Sequence, residues 1–357
     1  MKELKLLKGN EAVAEGAIRA GADAYFGYPI TPQSEIMEYL MVERPEHRTG
    51  MVVLQAESEV AAINMVYGAA GTGKKVLTTS SSPGISLMQE GISYIAGAEL
   101  PCVIVNVVRG GPGLGTIQPS QADYFQTTKG GGHGDYRLIT IAPASVQEMF
   151  DFVDLGFELA FKYRNPVMIL SDGLIGQMME KVELSEQKPR ATEFDQSWAT
   201  TGLTPDREQN VITSLDLDPS RQEIHNIHLQ KKYRTIEENE IRYEEFQTED
   251  ADYLLVAYGS SSRICQKALD LARAKGHKVG LLRLISLYPF PKAIVNELAG
   301  KVKAILCVEQ SAGQMIEDVQ LAAGCNKIPI KHFGRMGGMI PIPEEVLEAL
   351  EEKIIGG

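Results

Sequence analysis

Cysteine is scarce in this 357-residue chain: Cys102, Cys265, Cys307 and Cys325 stand far apart, with no Cys-x-x-Cys pair. Such spacing builds neither a zinc site nor an iron–sulfur cluster. Three of the four lie in apolar runs, where a thiol acts as a small buried hydrophobe. No run of about 18 apolar residues is present, so no membrane-spanning helix is expected. The start Met1-Lys2-Glu3-Leu4-Lys5 has no apolar stretch ahead of a small-residue cleavage site, which argues against secretion and for a cytoplasmic location. Positive charge is short as well. Thirty-five Lys and Arg face 47 Asp and Glu, a net charge of -12, and no basic stripe exists to bind nucleic acid.

What remains is the composition of a globular protein, 44% hydrophobic and 23% charged. The length suggests two α/β domains, at roughly 100–200 residues each. In residues 1–185, short apolar runs at Ala24–Tyr28, Val52–Gln55, Lys75–Thr79, Cys102–Val108 and Val167–Ser171 alternate with helical stretches such as Glu59–Gly71. Nearly continuous apolar strands of this kind are expected to be buried on both faces of a mainly parallel sheet. Residues 186–249 are polar and dense in charge, and are expected to form a linker or surface excursion. From 250 to 357 alternation resumes in a smaller α/β domain, with strands at Tyr253–Tyr258, Lys278–Leu284, Ala304–Val308 and Ile328–Phe333 and a helix from Ser262 to Lys275.

Several motifs fall at strand ends, where open α/β sheets bind ligands. Tyr28-Pro29-Ile30-Thr31-Pro32 lies between a strand and a helix; Thr31 either holds a carboxylate at the helix N-terminus or caps the helix. Glu57-Ser58-Glu59-Val60-Ala61-Ala62 opens a helix directly after a strand. A carboxylate there answers the helix dipole without further purpose, but the small residues after Glu59 imply close packing, and a semi-buried carboxylate needs a partner. Arg109-Gly110-Gly111-Pro112-Gly113-Leu114-Gly115 does not open a helix and so is not a dinucleotide fingerprint; Arg109 suits either a carboxylate ligand or an ordinary ion pair. Gly71-Thr72-Gly73-Lys74-Lys75 lacks phosphate-loop spacing and is expected to close a helix. Asp172-Gly173 is expected to be a turn rather than a metal ligand.

Taken in order, Tyr28-Pro29-Ile30-Thr31-Pro32, Gln55–Ala62, Thr79-Ser80-Ser81-Ser82-Pro83-Gly84, and Arg109-Gly110-Gly111-Pro112 with Gln121-Ala122-Asp123 resemble the α subunit of thiamine-diphosphate-dependent 2-oxoacid:ferredoxin oxidoreductases. The resemblance covers nearly the whole chain. It implies a pyrimidine-binding parallel-sheet domain followed by a transketolase C-terminal-like α/β domain. The glutamate matching Glu59 would hydrogen-bond N1′ of the aminopyrimidine, with Glu57 as its neighbouring decoy; Tyr28 and Pro29 would lie against the cofactor, and Thr31 and Arg109 would hold the oxoacid carboxylate. Lys129-Gly130-Gly131-Gly132-His133-Gly134-Asp135 is similar to the branched-chain, 2-oxoisovalerate (3-methyl-2-oxobutanoate), type, although pyruvate and 2-oxoglutarate enzymes share the other motifs.

Thiamine enzymes hold Mg²⁺ and diphosphate through a Gly-Asp-Gly sequence, and none occurs here. The resemblance therefore implies a β subunit carrying the diphosphate and Mg²⁺ site, γ and iron–sulfur δ subunits or their equivalents, coenzyme A as co-substrate and ferredoxin as electron acceptor. Two alternatives share the fold: an E1-type subunit of a 2-oxoacid dehydrogenase or a transketolase-like enzyme, and a non-catalytic scaffold subunit.

Overall fold

The computed structural model describes residues 3–190, 193–203, 205 and 207–356; Met1 and Lys2, which open the start inspected for a leader, lie outside them. The strands are β1 (Glu3–Lys8), β2 (Ala24–Gly27), β3 (Val52–Gln55), β4 (Val76–Ser80), β5 (Val103–Val108), β6 (Ile139–Ile141), β7 (Val167–Asp172), β8 (Met179–Leu184), β9 (Tyr243–Phe246), β10 (Tyr253–Tyr258), β11 (Val279–Leu284), β12 (Ser286–Tyr288), β13 (Ala304–Glu309) and β14 (Ile330–Gly334).

Seven of them form one sheet in the order β12-β6-β7-β5-β4-β2-β3, parallel throughout except where β12 runs against β6. Strands β4 to β7 are buried along their whole length, as apolar runs covered on both faces require. Ile63, Val66, Ile85 and Ile92, from helices Glu59–Gly71 and Ser82–Gly97, cover one face. Val13, Ile36, Phe150 and Val153, from helices Gly9–Arg19, Ser34–Glu43 and Val146–Tyr163, cover the other. β3 departs from the expectation of two-sided burial. It is the edge strand, with Val52 51% and Leu54 45% exposed, because among the described residues no strand pairs with its outer side.

A second sheet, in the order β14-β13-β10-β11-β9, is parallel but for β9. Two features cross the expected boundaries. Residues 186–249, expected as a linker or excursion, contain the 21-residue helix Pro219–Asn239, capped by the Asp218 carboxylate on Ser220 N at 2.9 Å, as well as β9. Its buried residues are Leu229, Tyr233 and Ile236, a stripe one side chain wide that charge hides from periodicity. In addition β12 leaves the C-terminal stretch to close the edge of the first sheet beside β6. Among the described residues no helix is long and apolar enough to cross a membrane.

Candidate functional site

Glu59 begins the helix that follows β3. Ser58 caps it, its Oγ accepting Ala61 N–H at 3.2 Å, so the Glu59 side chain sits in the first turn where the helix dipole favours an anion. It is 6% exposed, and no hydrogen bond or ion pair reaches its carboxylate among the described residues. A buried carboxylate without a partner is costly unless something else supplies one. Glu57, two residues earlier, is exposed and takes a hydrogen bond from Ser58 Oγ at 3.0 Å. The structure thus separates the two acids: one faces solvent, the other a niche.

The far wall of that niche comes from the end of β4 and the helix after it. A β-carbon on Gly84 would stand 2.1 Å from Ser80 Oγ and 2.7 Å from Glu59 Oε1, so only glycine lets the helix pass this close. The hydroxyls of Ser80 and Ser81 are buried with no partner. The unpartnered Ser80 hydroxyl and the unpaired Glu59 carboxylate, both facing Gly84, offer a ligand a donor and an acceptor.

Thr31 and Arg109 meet beside it. Arg109 donates to the Thr31 carbonyl at 3.0 Å and to the Leu114 carbonyl at 3.1 Å, while its Nε is buried without a partner. Thr31 is exposed, as is Pro29, and Tyr28 is half-buried. No acid pairs with Arg109 among the described residues, so the ion-pair alternative has no support from the geometry.

One segment, Thr79–Gly84, joins these groups. Thr79 Oγ1 donates to Gln33 Oε1 at 2.6 Å, and Gln33 Nε2 donates to the Tyr28 carbonyl at 3.2 Å, which fixes the Tyr28–Pro32 turn. Ser82 Oγ lies 3.1 Å from Arg109 N and 3.2 Å from Arg109 O, and Gly84 backs Glu59. Behind Ser82, buried Asn106 accepts from Ser82 N at 3.2 Å and donates to Asp123 at 2.9 Å. Burial raises the Asp123 carboxyl above its ordinary range, against the lowering effect of hydrogen bonds from Asn106 and Ser82.

The serine run Ser80-Ser81-Ser82 has no role assigned from sequence. Polar side chains at positions 78 to 81, ending an otherwise apolar buried strand, were the available signal. Gln33 and Asn106 carried none, since their partners come from other loops. Asp172 caps helix Gly173–Gln177, accepting from Leu174 N at 3.0 Å and Ile175 N at 3.2 Å, and also accepts from Ser260 Oγ at 2.6 Å. It is a bracket between the two sheets.

The niche fits the aminopyrimidine end of thiamine diphosphate, which offers ring nitrogens and an amino group to a carboxylate and hydroxyls. A hard cation beside a diphosphate needs several oxygen ligands; among the described residues no group of three or more His, Cys, Asp or Glu could hold one.

Comparison with known proteins gives the family. Residues 15–246 match the family model described as "Pyruvate flavodoxin/ferredoxin oxidoreductase, thiamine diP-bdg", and residues 251–346 match "Pyruvate:ferredoxin oxidoreductase core domain II". The ketoisovalerate oxidoreductase subunit VorB of Methanothermobacter marburgensis is 53% identical over 350 residues, covering 98% of this chain and 97% of that one. The 2-oxoglutarate synthase subunit KorA of Archaeoglobus fulgidus is 35% identical over 362 residues, covering 99% of this chain and 100% of the other. Among solved structures, the 2-oxoglutarate:ferredoxin oxidoreductase of Magnetococcus marinus, with 2-oxoglutarate, coenzyme A and succinyl-CoA bound, superposes with a TM-score of 0.86 at 27% identity; 99% of this chain spans 66% of that one. A split-gene transketolase shares the fold alone, at a TM-score of 0.61 and 14% identity. The chain belongs to the thiamine-diphosphate-binding pyruvate flavodoxin/ferredoxin oxidoreductase family, as a 2-oxoacid oxidoreductase subunit.

Proposed function

We propose that this chain is the pyrimidine-activating subunit of a 2-oxoacid:ferredoxin oxidoreductase acting on 2-oxoisovalerate or a related branched-chain acid, with coenzyme A as acyl acceptor. The observation that carries the reading is Glu59, a carboxylate buried at a helix N-terminus with no partner among the described residues. The similarity to ketoisovalerate oxidoreductase subunits supports the branched-chain substrate.

When bound, thiamine diphosphate supplies nucleophilic attack on the keto carbon and a sink for the electron pair left as carbon dioxide departs. Glu59 would share a proton with N1′ of the aminopyrimidine and so, through the conjugated ring, govern the basicity of the 4′-amino nitrogen. Its burial keeps water from competing for that proton. Ser80 and Ser81 offer hydroxyls to the same ring, and Tyr28 and Pro29 border it. Arg109 and Thr31 orient the oxoacid carboxylate; they position and do not transfer protons. Diphosphate and Mg²⁺ are held by a β subunit, and electrons pass through iron–sulfur clusters on further subunits to ferredoxin, in the cytoplasm. The exposed apolar edge at β3, directly before Glu59, supports a partner covering the site from that side.

Glu59→Gln tests the reading, because it keeps shape and hydrogen bonding but cannot share the proton. In the assembled complex kcat is expected to fall about 10²–10⁴-fold, with Glu57→Gln nearly silent. Hydrogen exchange at C2 of the bound cofactor measures the step directly, and near-normal exchange in Glu59→Gln would overturn the assignment.

A further inference from the structure

The loop that carries Arg109 is seated on the opposite end of the chain. Residues 110–118 fold back on themselves: Gly110 N donates to Gln118 O at 2.9 Å, and Thr116 N donates to Gly110 O at 2.8 Å. Arg109 closes the same loop from outside through its bond to the Leu114 carbonyl at 3.1 Å. Against this loop lies the turn after β14. A β-carbon on Gly110 would stand 2.7 Å from Thr116 Cγ2 and 3.0 Å from both Gly337 C and Gly338 N. One on Gly338, where φ is +93°, would stand 2.4 Å from Gln118 Cβ and 2.9 Å from Thr116 Cγ2. The Thr116 methyl therefore fills the space in front of both glycines, and the backbones interlock with no slack. The seat is itself anchored: Arg335 donates to Glu345 Oε1 at 2.8 Å, and Ile342 N donates to Glu345 Oε2 at 3.2 Å.

We propose that the turn at Gly338 is a positioning element for the oxoacid carboxylate, holding the 110–118 loop so that the Arg109 guanidinium stays aimed. The proposal rests on the reading of Arg109 as the carboxylate's ligand. Through this contact the C-terminal sheet takes part in oxoacid binding although it contributes none of the groups assigned to it. Gly338 acts on Arg109 through Thr116 and Gln118, and touches neither substrate nor cofactor.

The test uses the assembled complex with Gly338→Ala, Thr116→Ala and Arg109→Ala in parallel. It reads the KM for the oxoacid, kcat, and C2 hydrogen exchange of the bound cofactor without oxoacid. Misplacing a positioning group by about 1 Å costs on the order of 100-fold, so Gly338→Ala is expected to raise KM roughly ten- to hundredfold with C2 exchange unchanged. Thr116→Ala, which adds no atom and only loosens the seat, is expected to raise it less; it decides the matter if Gly338→Ala does not assemble. An unchanged KM in both, with Arg109→Ala raising it, overturns the proposal and leaves Arg109 standing. An unchanged KM in Arg109→Ala overturns the underlying reading. Loss of C2 exchange together with the rise in KM shows general damage and also overturns the proposal.

Discussion

At the scale of single residues, the site depends on where carboxylates and guanidinium groups lack partners. Arg109 spends two of its donors on carbonyls of its own chain, and its buried Nε has no partner among the described residues. Arg109→Ala is therefore expected to raise the oxoacid KM while the complex retains its cofactor; loss of cofactor at unchanged KM would reassign the residue. Gly84 is the complementary case. Alanine there forces a carbon into the space of Ser80 Oγ and Glu59 Oε1, and the resulting strain, about 1–3 kcal/mol for an overpacked site, falls on the cofactor niche. Gly84→Ala is expected to weaken thiamine diphosphate retention about tenfold or more, measured by titrating cofactor into the apo-complex, with the oxoacid KM little changed.

At the scale of elements, helix Gly9–Arg19 is tied to its neighbours by Glu15, which is 2% exposed. It accepts from Arg19 Nε at 2.8 Å, Tyr39 OH at 3.0 Å and Arg48 at 3.1 and 3.2 Å. Burial alone would raise this carboxyl, but the bonds from Arg48 and Arg19 outweigh it and hold it below its ordinary value of 4.5. A carboxyl lowered in the fold stabilises above its unfolded value and loses that contribution as pH falls through the native one. Glu15→Gln is expected to cost about 1–3 kcal/mol at neutral pH, since Arg19 and Arg48 keep Glu3 and Glu43 as partners. Denaturant unfolding at a series of pH values should show the deficit shrinking below pH 4.5. Strands β4, β5, β7, β10, β11 and β13 were legible in outline, because burial on both faces leaves unbroken apolar runs. Helix Pro219–Asn239 was not, since Leu229, Tyr233 and Ile236 are too few to set a period against its charge. In the site, Glu59 was separable from Glu57 by the small residues that follow it. Gly84 and Gly338 were not recognisable, because what makes each irreplaceable is a side chain brought from another loop.

At the scale of the whole molecule, the first sheet ends at an exposed apolar edge. Met41, Val42, Val52 and Leu54 are exposed on or near β3. The full chain without partners is expected to bind thiamine diphosphate weakly even with Mg²⁺; calorimetry showing tight, Mg²⁺-dependent binding would refute a shared site. The strand β12 bears on a different matter, the dissection of the gene. It follows β11 of the second sheet after a single residue, yet its hydrogen bonds are to β6 of the first. A fragment ending near residue 250 would leave β6 as a bare, fully buried strand turned outward, with open N–H and C=O groups inviting another chain to pair. The matching C-terminal fragment would carry Leu287, Tyr288 and Phe290 with nothing to cover them. Two such fragments, expressed separately, are expected in inclusion bodies and, expressed together, to reassemble through that short strand along with the Asp172–Ser260 bond and the Gly110–Gly338 contact.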